Sequence, residues 1–345
     1  MAVAIGGKVW FNTAMIQTIT IVGDGAMGTV CGMMLCAKGL SVRMWGHDAG
    51  QLAQMAQRRE NVRFLPGYTL PETLVLEPDD SRALADMDLV VSAVPCQFMR
   101  SVWTRLRPHL PPGVPIVSAT KGIENKTLFR PTEILADLLG RDRSYAALSG
   151  PTIAEEIARG LPATATAASA DEDLARQIQQ IFNSEHFRVY TNADIIGVEL
   201  CGALKNVIAI AAGTIDGIGG GDNAKAALLA RGLAEIKRLG AAMGASEPTF
   251  YGLSGLGDLV TTCISPLGRN RTFGERIGKG MTTQEALAMT QGVVEGVATC
   301  SAVLELARRY RVEMPIAEAI GAVVVEGKSV QAAIHNLMSR RLRAE

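Results

Sequence analysis

Along the first half of the chain, apolar residues cluster in short β-type runs separated by polar or helix-patterned stretches. Runs at Thr18–Val22, Ser41–Trp45, Thr73–Leu76, Asp88–Val94, Pro115–Ala119 and Tyr145–Leu148 predict strands. Two more, at Ala163–Ala168 and Phe187–Tyr190, flank a helical pattern over Asp171–Phe182. Alternation of this kind predicts a mainly parallel, doubly wound sheet. From Ala193 onward the period is helical throughout: a long amphipathic stretch covers Asp222–Met243, and shorter ones cover Gln284–Met289, Val297–Arg311, Ile316–Glu326 and Val330–Leu337. The expected class is α/β, with an N-terminal sheet domain over 18–192 and an all-helical domain over 193–345. An extension over 1–17 is expected to be poorly ordered, and residues 1–14, which precede Met15, are expected to add little to the fold. Two domains suit a chain of 345 residues, which is long for one core.

The stretch Ile195–Ala212, IIGVELCGALKNVIAIAA, is apolar at helical spacing on most faces, yet it carries Lys205 with Asn206 beside it. Burying an ammonium is costly unless it is paired or lines a cavity. Lys205 either snorkels to the surface or serves chemistry, and other segments must decide which. No apolar run is read as reaching the roughly 18–20 residues of a membrane span, so none is expected. The N-terminal apolar stretch lacks a preceding basic region and is broken by Lys8, which makes a poor signal peptide.

The first predicted strand runs straight into Gly23-Asp24-Gly25-Ala26-Met27-Gly28 and then a helical pattern. Strand, G-x-G-x-x-G, helix is the context in which this motif binds a dinucleotide. Its glycines permit a tight turn, admit a pyrophosphate to the backbone and let helix and strand pack closely. The helix N-terminus then favours the diphosphate. The sheet is therefore expected to be Rossmann-like. Asp24 would repel a diphosphate unless it points away, into the neighbouring loop. After the second strand, Asp48 is placed to accept hydrogen bonds from an adenosine ribose, or equally to cap a helix; protonated His47 would instead meet a 2′-phosphate. NAD and NADP both remain open.

Ligands of such sheets lie beyond the carboxyl ends of the strands. The turn Val94-Pro95-Cys96-Gln97-Phe98 is therefore expected to line the nicotinamide site, with no histidine near Cys96 in sequence to make it a nucleophile. The fifth strand ends in Ser118-Ala119-Thr120-Lys121-Gly122, where Lys121 points into the ligand crevice unless it is a surface lysine on a loop; Ser149-Gly150-Pro151-Thr152 passes into a helix whose cap is Thr152 unless that hydroxyl meets substrate. In the second half, GLSGLGDLVTT (252–262) has Asp258 as its only charge, and Gly268-Arg269-Asn270-Arg271 offers a guanidinium suited to phosphate, or simply a basic turn before a helix. Gln291–Gly296 is a second glycine-flanked turn, with Glu295 as its acid.

Charge limits the partners. Thirty-four basic and 34 acidic residues cancel, which removes any global argument for nucleic acid or an anionic membrane. Six scattered cysteines without a Cys-x-x-Cys pair suit reduced thiols in a cytosol, and with four scattered histidines no metal is expected. What remains is a dinucleotide site, two lysines, one aspartate and an Arg-Asn pair. A nicotinamide enzyme acting on a secondary alcohol needs a proton acceptor, and a lysine depressed by burial and cationic neighbours fits. A small phosphorylated alcohol is the expected substrate.

At this point the chain resembles the bacterial type of NAD(P)-dependent glycerol-3-phosphate dehydrogenase. The resemblance runs from about Ile19 to Leu337. It is carried by GDGAMG (23–28), ATKGIE (119–124), SGPTIAEE (149–156), GVELCGALKNVIAIAAGTIDGIGGGDNAKAAL (197–228), GLSGLGDLVTTC (252–263), GRNRTFG (268–274) and VVEGV (293–297). It implies a Rossmann domain followed by a helical domain like the C-terminal domain of 6-phosphogluconate dehydrogenase, and reduction of dihydroxyacetone phosphate to sn-glycerol 3-phosphate for glycerophospholipid synthesis in the cytoplasm, with a homodimer as the expected assembly. By motif position it implies that Lys205 is the proton acceptor and also contacts substrate, together with Lys121, Gly150, Thr152, Asp258, Gly268, Arg269 and Asn270. Gly23, Gly25, Ala26, Met27, Gly28, His47, Lys121, Ala154, Arg269, Val293 and Glu295 would contact NAD or NADP. The chain departs from the family's usual alanine at Asp24, aromatic at Met27, serine at Gly268, and Ser-His at Cys96-Gln97. The rival readings are a β-hydroxyacid dehydrogenase-like reductase, which also carries a Lys-Asn pair on a long helix, and an NAD(P)-sensing protein without turnover.

Overall fold

A computed structural model describes residues 16–341, so the expectation for residues 1–14 lies outside the described residues. Ile16 is buried, and the Gln17 amide donates to Asp88 Oδ2 at 2.8 Å, which ties the chain down just before the first strand. Ten strands follow in chain order: β1 (Thr18–Val22), β2 (Ser41–Trp45), β3 (Glu60–Asn61), β4 (Leu65–Thr69), β5 (Leu74–Leu76), β6 (Leu89–Ser92), β7 (Ile116–Ser118), β8 (Tyr145–Ser149), β9 (Ala163–Ala168) and β10 (Phe187–Asn192). Eight of them form one sheet in the order β10-β9-β8-β7-β6-β1-β2-β5. All neighbours are parallel except β8 and β9, which pair antiparallel with Ala147 opposite Ala168. The sheet is thus mainly parallel, but β9 and β10 run against the rest. The hairpin of β3 and β4 stands apart as a second small sheet.

Strands buried on both faces read as continuous hydrophobic runs, and the central ones do so here. Ile19 and Ile21 of β1 and Leu89 and Val91 of β6 enter one core, with Cys31 and Leu35 of the helix Ala26–Ala37. Val22 and Val90 face the other way, into a core with Trp45, Met99 and Trp103. Because β1 has β2 on one side and β6 on the other, the chain leaves it in opposite directions, and this switch point opens a crevice at the carboxyl ends.

After β10 the described elements are helices, gathered round the 23-residue helix Ile195–Gly217, in which every residue from Gly197 to Thr214 is buried. The helices Gly221–Ala242, Asp258–Ile264, Arg269–Gly278 and Glu295–Tyr310 pack on it. Gly213 and Gly274 permit the closest of these approaches, since a Cβ on either would collide with a carbonyl of the opposite helix. Contrary to the sequence expectation, this helix is long and apolar enough by length and composition to cross a membrane. Its apolar window is nevertheless 89% buried inside the protein, and it serves as the core of the helical half. It is joined to the sheet half by Glu199, whose carboxylate accepts from the Arg130 guanidinium and from the amide and hydroxyl of Thr132.

Candidate active site

The candidate site is built on the carboxyl ends of four adjacent strands, β1, β6, β7 and β8, and on the helices that face them. The glycine loop leaves β1 with Gly23 at φ 120°, its amide donating to Trp45 O at 2.8 Å. A side chain at Gly28 would collide with the Gly23 carbonyl, whereas one at Gly25 would project into open space. The helix Ala26–Ala37 has no side-chain cap and no acidic residue in its first turn. The helix therefore presents uncapped amides and its positive end with no first-turn acid, and the loop leaves open space at Gly25, which fits the diphosphate of NAD or NADP. Ala26 and Met27 open that helix, and Met27 packs partly against the sheet core.

At the next strand end, Cys96 is fully buried and starts a helix, and burial pushes its thiol pKa upward. Its amide donates to Glu295 Oε1 at 3.0 Å. Glu295 therefore does more than begin the helix Glu295–Tyr310: it links the helical half to the β6 turn. Burial raises its pKa to about 7, opposed by the Cys96 amide and by Arg269. Its Oε2 is buried and has no hydrogen-bond partner among the described residues, beside Gly122. Gln97 clamps the following loop, donating to Ile123 O at 2.7 Å and accepting from the Asn125 amide at 3.2 Å.

Lys121 lies just beyond β7. Its Nζ donates to Gly150 O at 2.9 Å, to Thr152 Oγ1 at 3.4 Å and to Asp258 Oδ2 at 2.7 Å. The other carboxylate oxygen of Asp258 accepts from Lys205 Nζ at 2.6 Å. One carboxylate, 1% exposed, thus bridges two ammonium groups supplied by residues 121 and 205. Lys205 also donates to the hydroxyl of Thr262. It does not snorkel: it is 6% exposed. Its pKa is lowered to about 8, first by burial and then by Lys121, while Asp258 opposes the drop. The cluster of two cations and one anion carries a net positive charge in a confined space, so it favours a negatively charged or strongly polarised ligand.

Beside it, Gly268 precedes the helix Arg269–Gly278, which again lacks a side-chain cap and a first-turn acid. Arg269 is exposed, and no carboxylate of the described residues lies in ion-pair contact with it. A guanidinium on an uncapped helix N-terminus is suited to a phosphate. Asn270 is more committed than the sequence indicates: its Nδ2 donates to Asn206 Oδ1 at 3.0 Å and its Oδ1 accepts from the Gly296 amide at 2.9 Å, joining three helices. Ala154 starts a short helix after Thr152, and Val293 lies in the turn before Glu295. His47 is exposed, while Asp48 caps the helix Ala49–Arg58 by accepting from the Gly50 and Gln51 amides.

Sequence reasoning missed Thr262 and the bridging role of Asn206. Thr262 had a usable signal, since it lies four residues after Asp258 and so on the same helical face. Asn206 had none beyond adjacency to Lys205.

Family models described as the N-terminus and the C-terminus of NAD-dependent glycerol-3-phosphate dehydrogenase match residues 18–175 and 194–335. A Streptomyces coelicolor protein named glycerol-3-phosphate dehydrogenase (NAD(P)+) is 46% identical over 327 residues, covering 94% of this chain and 97% of its own. The crystal structure of a glycerol-3-phosphate dehydrogenase from Coxiella burnetii superposes with a TM-score of 0.91 at 36% identity, covering 94% of this chain and 99% of that one. A ketopantoate reductase family member from Ralstonia eutropha shares the fold alone, with a TM-score of 0.60 at 16% identity, covering 93% and 100%.

Proposed function

We infer the reaction from one premise: the chain belongs to the NAD-dependent glycerol-3-phosphate dehydrogenase family, and it is an oxidoreductase that reduces dihydroxyacetone phosphate to sn-glycerol 3-phosphate with NAD(P)H. When bound, NAD(P)H would supply the hydride. The residues of this chain do the rest. Lys205 gives its proton to the carbonyl oxygen as that oxygen gains charge, and takes it back in the reverse direction. A pKa near 8 leaves both protonation states within reach at neutral pH, as a group that must give and regain a proton requires. Asp258 orients that ammonium, and Lys121, on the other oxygen of the same carboxylate, adds positive charge beside the substrate. Arg269 and the amides that follow Gly268 take the phosphate, with Asn270 and Asn206 fixing the helices that present them. Gly150 and Thr152 line the substrate side through Lys121.

On the cofactor side, Gly23, Gly25, Ala26, Met27 and Gly28 would hold the diphosphate, and Ala154, Val293 and Glu295 would contact the dinucleotide. The observation that carries this reading is the Asp258 bridge between Lys205 and Lys121. We place the reaction in the cytoplasm, as a supply of glycerol 3-phosphate to glycerophospholipid synthesis, and expect a homodimer, which sedimentation would check. The test of function is oxidation of NADH and NADPH with dihydroxyacetone phosphate, run side by side with unphosphorylated hydroxyacids in the reverse direction. Turnover of the hydroxyacids with none of dihydroxyacetone phosphate would overturn the reading.

A further inference from the structure

The adenosine end of the crevice holds a carboxylate in an unusual place. In dinucleotide-binding sheets the acid that reads the ribose stands at or just after the end of the second strand. Here the strand ends at Trp45 and is followed by Gly46, which has no side chain, while the acid expected from the sequence, Asp48, uses one carboxylate oxygen to cap a helix. The space over Gly46 is filled instead by Asp24, from inside the glycine loop: a Cβ on residue 46 would stand 2.8 Å from Asp24 Cγ and 2.9 Å from its Oδ2.

The backbone of Asp24 is fixed by a buried polar network. Asn61, which is inaccessible to solvent, donates to Asp24 O at 2.7 Å and to Thr29 Oγ1 at 2.8 Å, and Gln51 donates to Asn61 Oδ1 at 3.2 Å. Asn61 of the β3–β4 hairpin therefore holds the backbone of the second residue of the glycine loop. Burial first, and then Asp48, disfavour the Asp24 charge, while the exposed Arg63 and His47 lie near enough to favour it. Without Asp24, Arg63, joined by His47 when protonated, would face the ribose with only the helix-capping Asp48 as a nearby acid, and would suit a 2′-phosphate.

We propose that Asp24, rather than Asp48, is the residue that reads the adenosine ribose, and that it makes the enzyme select NADH over NADPH. Its carboxylate accepts from the ribose hydroxyls and repels a 2′-phosphate at the same position. The proposal rests on the dinucleotide lying along the glycine loop, as in the reading above. It is tested by titrating NADH and NADPH into the full-length wild type, Asp24→Asn and Asp24→Ala proteins by calorimetry, together with turnover of dihydroxyacetone phosphate.

The wild type is expected to bind NADH at least about tenfold more tightly than NADPH, in line with a charged hydrogen bond gained and a like-charge contact avoided. In both variants the ratio should move by about tenfold or more toward NADPH. Asp24→Asn keeps the shape and so guards against loss of folding in the alanine variant. Equal or tighter NADPH binding by the wild type, or an unchanged ratio in Asp24→Asn, would overturn the proposal. Selective NADH binding without turnover would sustain it while overturning the catalytic reading, and binding of neither cofactor would overturn both.

Discussion

Glu199 and Lys205 are two buried charges on one helix, less than two turns apart. Their surroundings differ in one decisive respect. Glu199 is closed off: its two oxygens accept from Arg130, which also pairs with the half-exposed Glu133, and from the amide and hydroxyl of Thr132, at the start of the neighbouring helix Pro131–Leu139. Burial raises its pKa, and Arg130 and Thr132 pull it back down. Lys205 must share its counter-ion. Asp258 divides one negative charge between Lys205 and Lys121, so the site is left cationic, and burial first and then Lys121 depress Lys205 to about 8. A saturated buried charge holds two halves of the protein together, whereas an undersatisfied one awaits a ligand. The comparison separates stability from chemistry within a single element.

Substitutions can break this contrast. The largest effect is expected from Glu199→Ala, which takes away the buried one of Arg130's two carboxylate partners, leaving the half-exposed Glu133, and should cost about 3 kcal/mol of stability. Urea unfolding measures it, and the protein that remains folded should keep a near-normal kcat. Lys205→Ala should do the opposite. It should lower kcat by ~100-fold or more, the usual size of a general acid–base contribution, with a much smaller change in urea midpoint. If both variants lose stability equally, the distinction fails. A smaller and different effect is expected from Arg269→Ala: KM for dihydroxyacetone phosphate should rise by about tenfold or more with kcat changed less, as for uniform binding energy removed. Steady-state kinetics over a wide substrate range separate the two parameters.

Much of this architecture is legible in the chain because each central strand is buried on both faces and so reads as an unbroken apolar run. The β3–β4 hairpin is not legible, for β3 is only two residues long and β4 contains Pro66 and Gly67, residues that argue against a strand. The reversed direction of β9 is equally hidden, since ATATAA reads the same whichever way it is paired. The glycine-rich stretch before Asp258 reads as an interruption, yet it forms a π-helical turn (Leu253–Gly257), because Gly255 lies against the Phe250 carbonyl where a side chain would collide. In the candidate site, Lys121, Lys205 and Asp258 each stand out by type and setting. That one carboxylate joins them does not, since the contacts span 137 and 53 residues of sequence. The added reach of Glu295 to Cys96, across 199 residues, is hidden for the same reason.

The central claim is that Lys205, depressed by burial and by Lys121, is the proton donor. Its direct test is the pH dependence of kcat/KM for reduction of dihydroxyacetone phosphate, which reports the free enzyme's essential acid. The donor must be protonated, so activity should be full below, and fall through, an apparent pKa near 8 as pH rises. That limb should vanish from the residual activity of Lys205→Ala. A wild-type profile flat from pH 7 to well above the pKa of about 8, or a limb that persists in Lys205→Ala, would contradict the account.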